Sequence, residues 1–200
     1  MRDEFGDAAS EAVESGWQDA WREFHQPVRI GPLWVGPPWL DPEPDTLAVV
    51  IDPGQAFGTG AHATTHLCLE MLLDVERGSL VDLGCGSGVL AIAAAKLGFA
   101  PVTALDSDEI AVRIARENAE ANGVDLEIRH ADVLADDLPE TEIAVANIEL
   151  ATVEALAPRV RARTLVTSGY PVRDQPSLSG WRHVRRVERD GWAADLHGHE

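Results

Sequence analysis

A glycine-rich stretch decides the fold: Val81-Asp82-Leu83-Gly84-Cys85-Gly86-Ser87-Gly88. The apolar residues 80–83 before it predict a short buried strand, and the apolar segment 89–97 after it predicts a helix that ends at Gly98. Glycines in such a turn let the backbone approach a ligand closely, and the first turn of the following helix offers free N–H groups. The stretch therefore predicts a strand–loop–helix unit that binds a ligand.

The spacing of the three glycines excludes two common kinds of phosphate-binding loop. A dinucleotide site has the pattern Gly-x-Gly-x-x-Gly, whereas here Gly88 comes one position early and Val89 takes the expected place. A Walker loop needs Gly-Lys followed by Ser or Thr, which the stretch lacks. A pyrophosphate ligand is therefore not favoured.

Three acidic residues lie at or near the ends of three successive predicted strands. Asp82 precedes the glycine loop, Asp106 ends the next strand and Asp132 follows the third. A carboxylate at the position of Asp106 can accept both hydroxyls of an adenosine ribose, and Asp132 can reach an adenine amine. Three acids suit a ligand with positive charge, which predicts S-adenosylmethionine as the cofactor. The alternative is a tight strand–helix turn with solvated acids.

Strand-like and helix-like segments alternate from residue 46 onward, which predicts an α/β fold with helices on both faces of a mostly parallel sheet. Asp190-Gly191 separates two strand-like segments and predicts an antiparallel hairpin at the C-terminus. The expected architecture is a Rossmann-like, doubly wound sheet. The predicted strands are 47–51, 80–83, 102–105, 126–129, 143–146, 165–167, 181–189 and 192–196. The predicted helices are 64–73, 89–97 and 108–121, the last with Ser107 as its N-cap.

The N-terminal part differs in composition from the rest and predicts a division of the chain into residues 1–45 and 46–200. Residues 7–25 have helical spacing of apolar side chains, and a linker rich in proline and tryptophan follows. Within the linker, residues 33–35 are expected to form an edge strand. The first unit is thus a helix with a linker arm, and the second is the cofactor-binding domain.

Composition and charge limit the classes of function. The chain has 200 residues, of which 45% are hydrophobic, and a formal net charge of −18. The strong negative charge argues against direct binding of nucleic acid and favours a basic protein partner. No apolar run approaches the length of a membrane span, and two cysteines are too few for a disulfide framework, so a cytoplasmic protein is expected. His62 and His66 lack an evident third ligand, and no metal is predicted.

Two further motifs carry a resemblance to a known family. One is Asp52-Pro53-Gly54-Gln55-Ala56-Phe57-Gly58-Thr59-Gly60-Ala61-His62-Ala63-Thr64-Thr65, and the other is Val145-Ala146-Asn147-Ile148. Together with the glycine loop they resemble the ribosomal protein L11 methyltransferase family (PrmA), one of the seven-stranded S-adenosylmethionine-dependent methyltransferases. The resemblance covers roughly residues 47–170. It implies a seven-stranded sheet and methyl transfer to protein amino groups, with a lysine as the expected acceptor.

The resemblance also assigns roles to residues. It implies that Asn147 lies beside the transferred methyl group, where its amide oxygen can accept a hydrogen bond from the substrate amine. It implies a loop containing Phe57 and Thr59 that covers the cofactor. The full set of expected cofactor contacts is Phe57, Thr59, Thr65, Asp82, Gly84, Gly86, Gly88, Asp106, Asp132 and Asn147.

The sequence departs from the family pattern at several places. Glu149 replaces a hydrophobic or small residue, and we consider it a catalytic candidate that attracts the amine or takes its proton; the alternative is a solvated helix start. Only about 45 residues precede the methyltransferase part, so we expect the family's N-terminal recognition domain to be missing. The acceptor could then be a large-subunit ribosomal protein, another protein or a small amine, and a non-catalytic S-adenosylmethionine-binding subunit is a further alternative.

Overall fold

The structure is a computed structural model that describes residues 26–52 and 60–199. The predicted helix at 7–25 lies outside the described residues. Phe57 and Thr59 of the predicted covering loop lie outside them as well.

A seven-stranded sheet forms the centre of the molecule, as the resemblance implied, and the predicted strand at 47–51 is not part of it. Its strands lie in the order β6-β5-β4-β7-β8-β10-β9. The first five are parallel, and the C-terminal pair runs antiparallel beside β8. The strands are β4 (Leu80–Leu83), β5 (Val102–Asp106), β6 (Glu127–His130), β7 (Ile143–Asn147), β8 (Thr164–Pro171), β9 (Trp181–Arg189) and β10 (Trp192–His199).

In the part of the chain that the structure describes, four helices connect or cover these strands. They are α1 (Ala63–Asp74), α2 (Val89–Lys96), α3 (Glu109–Ala121) and α4 (Leu150–Leu156), and a short 3₁₀ turn at Ala157–Arg159 continues α4. The predicted cap of α3 is wrong by one residue. Asp108 is the N-cap, because its side chain accepts a hydrogen bond from the N–H of Ile110.

A second, three-stranded sheet contains β1 (Val28–Ile30), β2 (Leu33–Gly36) and β3 (Leu47–Val50). The expectation that residues 33–35 form an edge strand is wrong, because β2 lies in the middle, antiparallel to β1 and parallel to β3. All four residues of β2, including Trp34, are buried, because this strand lies between β1 and β3. The division of the chain into residues 1–45 and 46–200 stays a prediction. In the structure β3, which follows residue 45, pairs with β2 of the linker.

The apolar core is built on both faces of the large sheet. One cluster joins alternate strand residues such as Leu80 and Val145 to α1, α2, α3 and the small sheet. The other joins their sequence neighbours, such as Val81 and Ala144, to α4 and Trp181. Since successive strand residues point to opposite faces, each cluster covers one face of the sheet. The carboxyl ends of the strands lie between the two clusters, at the edge where ligands bind in such folds. Within residues 26–52 and 60–199, no helix is long and apolar enough to cross a membrane.

Candidate active site

A cavity of about 710 Å³ opens at the carboxyl ends of β4, β5 and β7. This is the edge of a doubly wound sheet where ligands usually bind. The lining includes seven of the predicted site residues: Thr65, Gly84, Gly86, Asp106, Asp132, Asn147 and Glu149. Residues that are far apart in sequence therefore meet in one cavity.

The glycine loop forms the floor of the cavity in a backbone conformation that side chains disfavour. Gly84, Gly86 and Gly88 have φ angles of 79°, 54° and 82°, all in the left-handed region. At Gly84 a Cβ atom would also come within 2.6 Å of Ile148 Cγ2. The backbone N–H groups of Gly84 and Cys85 both donate to the carbonyl of Leu105, which ties the loop to the end of β5.

Asp106 is the last residue of β5, and two backbone hydrogen bonds hold its carboxylate. Oδ2 accepts from the N–H of Gly86 at 2.8 Å, and Oδ1 accepts from the N–H of Asp108 at 2.9 Å. A carboxylate oxygen has more than one acceptor position, so both oxygens retain capacity for a pair of ligand hydroxyls. The geometry fits the predicted ribose contact.

Asp132 lies at the far wall of the cavity, beside β6. Its Oδ1 accepts a 2.8 Å hydrogen bond from the N–H of Leu134, which closes a tight turn. Ala131, Val133 and Leu134 line the cavity next to it. An apolar wall with one carboxylate at its edge is suited to a flat heterocycle with an amino group.

Two residues that the sequence placed among the cofactor contacts do not line the cavity. Asp82 is 1% exposed, and its Oδ2 accepts a 3.2 Å hydrogen bond from the N–H of Ala91 in α2. Its other oxygen has no hydrogen-bond partner among the described residues, and burial raises the pKa of Asp82 to about 7. Gly88 is the N-cap of α2 and faces Ala115. Neither residue lines the cavity, and direct contact with a cofactor stays a prediction for both.

Asn147 ends β7 and contributes an amide to the cavity. Its Nδ2 donates to Oγ1 of the buried Thr65 at 3.4 Å. Its Oδ1 is buried and has no hydrogen-bond partner among the described residues. Because a buried amide oxygen without a partner is unfavourable, this atom indicates where a ligand donor binds.

Glu149 follows at the mouth of the same cavity. It is exposed and is the N-cap residue of α4, but its side chain makes no capping hydrogen bond to that helix. Its Oε1 accepts a 3.1 Å hydrogen bond from Thr152 Oγ1. The carboxylate therefore lines the entrance at the side where Asn147 lies.

An aromatic wall in the cavity was missed by the sequence analysis. The rings of His62 and Trp192 meet edge to face, with centroids 4.9 Å apart, and both line the cavity. His62 is also the N-cap of α1, since its Nδ1 accepts from the N–H of Thr64. Their proximity depends on the C-terminal hairpin folding back beside β8, which no local pattern indicates. The only signal in the sequence was Asp190-Gly191, which predicted the hairpin but not its position in the sheet.

A buried polar network fixes that hairpin. Asp195 on β10 accepts hydrogen bonds from Tyr170 Oη at 2.9 Å and from Arg186 Nη2 at 2.9 Å. Burial alone would raise the pKa of Asp195, but these hydrogen bonds hold it below its ordinary value. His197 is 2% exposed on the same strand, and its Nε2 lies 3.2 Å from Thr167 Oγ1. It is thus part of the sheet.

The electrostatic character of the cavity is acidic. Its described lining contains three carboxylates, those of Asp106, Asp132 and Glu149, and neither lysine nor arginine. Such a lining favours a ligand with net positive charge. Across residues 26–52 and 60–199, no group of three histidine, cysteine, aspartate or glutamate side chains could hold a metal ion.

The chain matches one protein family over most of its length. Residues 3–194 match the family described as Ribosomal protein L11 methyltransferase (PrmA). The ribosomal protein L11 methyltransferase of Vibrio campbellii is 42% identical over 171 residues, which are 81% of this chain and 57% of that protein. The protein of the same name from Desulforamulus reducens is 37% identical over 205 aligned positions, covering 93% of this chain and 66% of that protein.

A solved structure agrees with the fold. The crystal structure of ribosomal protein L11 methylase from Lactobacillus delbrueckii subsp. bulgaricus superimposes with a TM-score of 0.80 at 27% identity, covering 88% of this chain and 100% of that one. The chain spans about six tenths of the length of the two curated relatives, between 57% and 66%. On the extent of these matches, the chain belongs to the ribosomal protein L11 methyltransferase (PrmA) family.

Proposed function

We propose that this chain is an S-adenosylmethionine-dependent N-methyltransferase whose acceptor is a lysine amine of ribosomal protein L11. The observation that carries the proposal is the buried Oδ1 of Asn147, a residue that lines the cavity; this atom has no hydrogen-bond partner among the described residues. An amine N–H is the kind of donor that this atom needs.

The cavity fits the cofactor in shape and in charge. The apolar wall beside Asp132 would hold the adenine, and the carboxylate of Asp106 would hold the ribose hydroxyls. The glycine loop at 84–86 would hold the methionine portion, because Gly84 and Gly86 have no side chain that would block the approach of a ligand to the backbone. S-adenosylmethionine carries a positive sulfur, which suits a lining with three carboxylates and no lysine or arginine.

The residues of this chain contribute to the reaction by orienting the acceptor. When bound, S-adenosylmethionine supplies a methyl carbon activated by its positively charged sulfur. Thr65 accepts a hydrogen bond from Nδ2 of Asn147, which leaves Oδ1 of the same amide as the atom proposed to receive the acceptor. Oδ1 would accept one N–H of the neutral amine and thereby direct the nitrogen lone pair toward the methyl carbon. Asn147 thus positions the amine and does not itself remove a proton.

Glu149 is the proposed attractor of the protonated lysine. Its exposed carboxylate lies at the cavity mouth, where a cationic side chain enters before it loses its proton. A carboxylate there can accept the ammonium proton or pass it to water. Glu149 would then affect capture of the acceptor more strongly than binding of the cofactor.

The net charge of the chain supports a basic protein as the partner. With 34 acidic and 16 basic residues, the formal charge of −18 would steer a basic protein toward the acidic cavity mouth. A cytoplasmic location belongs to the same proposal, and both cysteines are free and buried in the structure.

The test is transfer of a labelled methyl group from S-adenosylmethionine to purified ribosomal protein L11, with n-butylamine as a small-amine comparison. Rates are measured at about 10 mM and about 150 mM salt, between which the screening length falls from roughly 30 Å to roughly 8 Å. We expect methylation of the ribosomal protein, several-fold slower at the higher salt. Salt-independent methylation of the small amine, with none of the protein, would contradict the proposed acceptor. No transfer to either compound would contradict the proposed activity.

A further inference from the structure

A buried asparagine outside the cavity lining connects the glycine loop to the small sheet. Asn118 on α3 is 4% exposed. Its Nδ2 donates to the carbonyl of Ser87 at 2.9 Å, and its Oδ1 accepts from the N–H of Asp52 at 3.2 Å. One side chain thus joins the loop that forms the cavity floor to the segment that leaves β3.

The position of Ser87 makes this contact important for the loop. Ser87 is 1% exposed and lies between Gly86 and Gly88, both of which have positive φ angles. Glycine has the greatest backbone freedom of any residue, so the loop conformation depends on restraints at its peptide units. The N–H of Gly88 donates to the Cys85 carbonyl at 2.9 Å inside the loop, whereas the Ser87 carbonyl of the same peptide unit needs a restraint from outside it. The hydrogen bond from Asn118 to the Ser87 carbonyl supplies such a restraint.

We propose that Asn118 is a positioning residue for the cofactor, which acts by fixing the peptide unit between Ser87 and Gly88. The fixed peptide unit lies shortly after Gly86, whose N–H is observed 2.8 Å from Asp106 Oδ2, so holding the Ser87 carbonyl favours the loop conformation in which that contact is made. Asn118 therefore acts on the carboxylate proposed to bind ribose without lining the cavity itself. The consequence for cofactor affinity rests on the proposed function, whereas the restraint on the loop does not.

The next turn of the same helix provides a matched control. Asn122 also binds the small sheet through its side chain: Oδ1 accepts from the N–H of Val50 at 2.9 Å, and Nδ2 donates to the carbonyl of Val50 at 2.6 Å. Its Nδ2 also donates to the backbone carbonyl of Asn118 at 2.8 Å, and among the described residues no hydrogen bond joins the Asn122 side chain to the glycine loop, which begins at Gly84. Replacing Asn122 therefore loosens the attachment of β3 to α3 and leaves the loop restraint in place.

Two substitutions at Asn118 separate its contacts. Asn118→Asp keeps an oxygen that accepts from Asp52 but replaces the donor to Ser87 with a second acceptor, which repels the carbonyl. Asn118→Ala removes both contacts and adds no charge. If either variant fails to fold, the other still tests the proposal, and Asn122→Ala shows what loss of a sheet contact does alone.

Hydrogen exchange in the absence of cofactor and calorimetric binding of S-adenosylmethionine are the two measurements. We expect at least fivefold faster amide exchange at residues 84–88 in Asn118→Asp and Asn118→Ala, with unchanged exchange there in Asn122→Ala. The dissociation constant for S-adenosylmethionine should rise at least fivefold in both Asn118 variants and less than twofold in Asn122→Ala. Equal exchange at residues 84–88 in the Asn118 and Asn122 variants would overturn the proposal. If the unsubstituted chain binds no S-adenosylmethionine, the proposed function fails, and exchange alone then decides the role of Asn118.

Discussion

Asp106 Oδ2 accepts a 2.8 Å hydrogen bond from the backbone N–H of Gly86, so the end of β5 holds the glycine loop of β4 directly. The other carboxylate oxygen accepts from the N–H of Asp108. A carboxylate held at both oxygens cannot rotate freely, and it presents its remaining lone pairs in fixed directions. Asp106 therefore combines two tasks, organisation of the loop and the proposed recognition of ribose.

Replacing this carboxylate should weaken cofactor binding strongly. Each hydrogen bond to a charged acceptor contributes about 1.5–3 kcal/mol, so losing the ribose contacts in Asp106→Ala should raise the dissociation constant of S-adenosylmethionine at least tenfold. Calorimetry measures this value. Glu117→Ala, which removes an exposed carboxylate paired with Arg113, is the control and should leave the affinity unchanged. An unchanged affinity in Asp106→Ala would refute the ribose assignment.

Gly169 on β8 lies against the backbone that follows Asn147, and a side chain there should be costly. A Cβ atom would come within 2.1 Å of the Ile148 carbonyl oxygen, and the φ angle of 104° already disfavours any side chain. Gly180 has a φ angle of 83° with open space around its Cβ position, so Gly180→Ala measures the backbone strain alone. We expect Gly169→Ala to lower the free energy of unfolding by about 2 kcal/mol more than Gly180→Ala in urea denaturation. Equal losses would mean that the chain at Ile148 moves aside easily.

The buried carboxyl of Asp82 should make stability depend on pH in a defined direction. Its folded pKa of about 7 lies above the ordinary value of 3.8, so the folded state binds the proton more tightly than the unfolded chain. Stability from this group is complete below about pH 4 and is lost as the pH rises through about 7. Asp82→Asn should remove this part of the pH dependence.

The measurement for Asp82 is urea denaturation at about pH 5 and about pH 9, which lie on either side of the folded pKa of about 7. The difference in stability between the two pH values should be smaller in Asp82→Asn than in the unsubstituted chain. Asp137→Asn replaces an exposed carboxyl and should keep the original difference. The same pH dependence in all three proteins would show that Asp82 does not titrate in this range.

Local patterns were sufficient to predict the large sheet and the cavity floor. The strand at 80–83 was predicted at its observed bounds, because a short apolar run directly before spaced glycines has few other interpretations. Asp106 and Asn147 were placed at strand ends, and parallel strands bring those ends to one edge of the sheet. The hairpin at Asp190-Gly191 was also predicted, and both residues have the positive φ angles that such a turn requires.

Contacts between distant segments could not be predicted in the same way. The ring pair of His62 and Trp192 exists only because β10 inserts between β8 and β9. The burial of His197 could not be predicted for the same reason, since it depends on the position of the inner strand of the hairpin. The bridge from Asn118 to Ser87 spans 31 residues and involves a side chain that carries no motif.

Asn147 provides the most direct test of the proposed chemistry. Kinetics of methyl transfer to ribosomal protein L11 and the dissociation constant of S-adenosylmethionine are measured for the unsubstituted chain and for Asn147→Ala. Since the free Oδ1 is proposed to orient the amine, kcat should fall about 100-fold or more, while the dissociation constant changes less than threefold. Equal loss of turnover and of cofactor affinity would make Asn147 a cofactor ligand alone, and an unchanged kcat would contradict its role in orienting the acceptor.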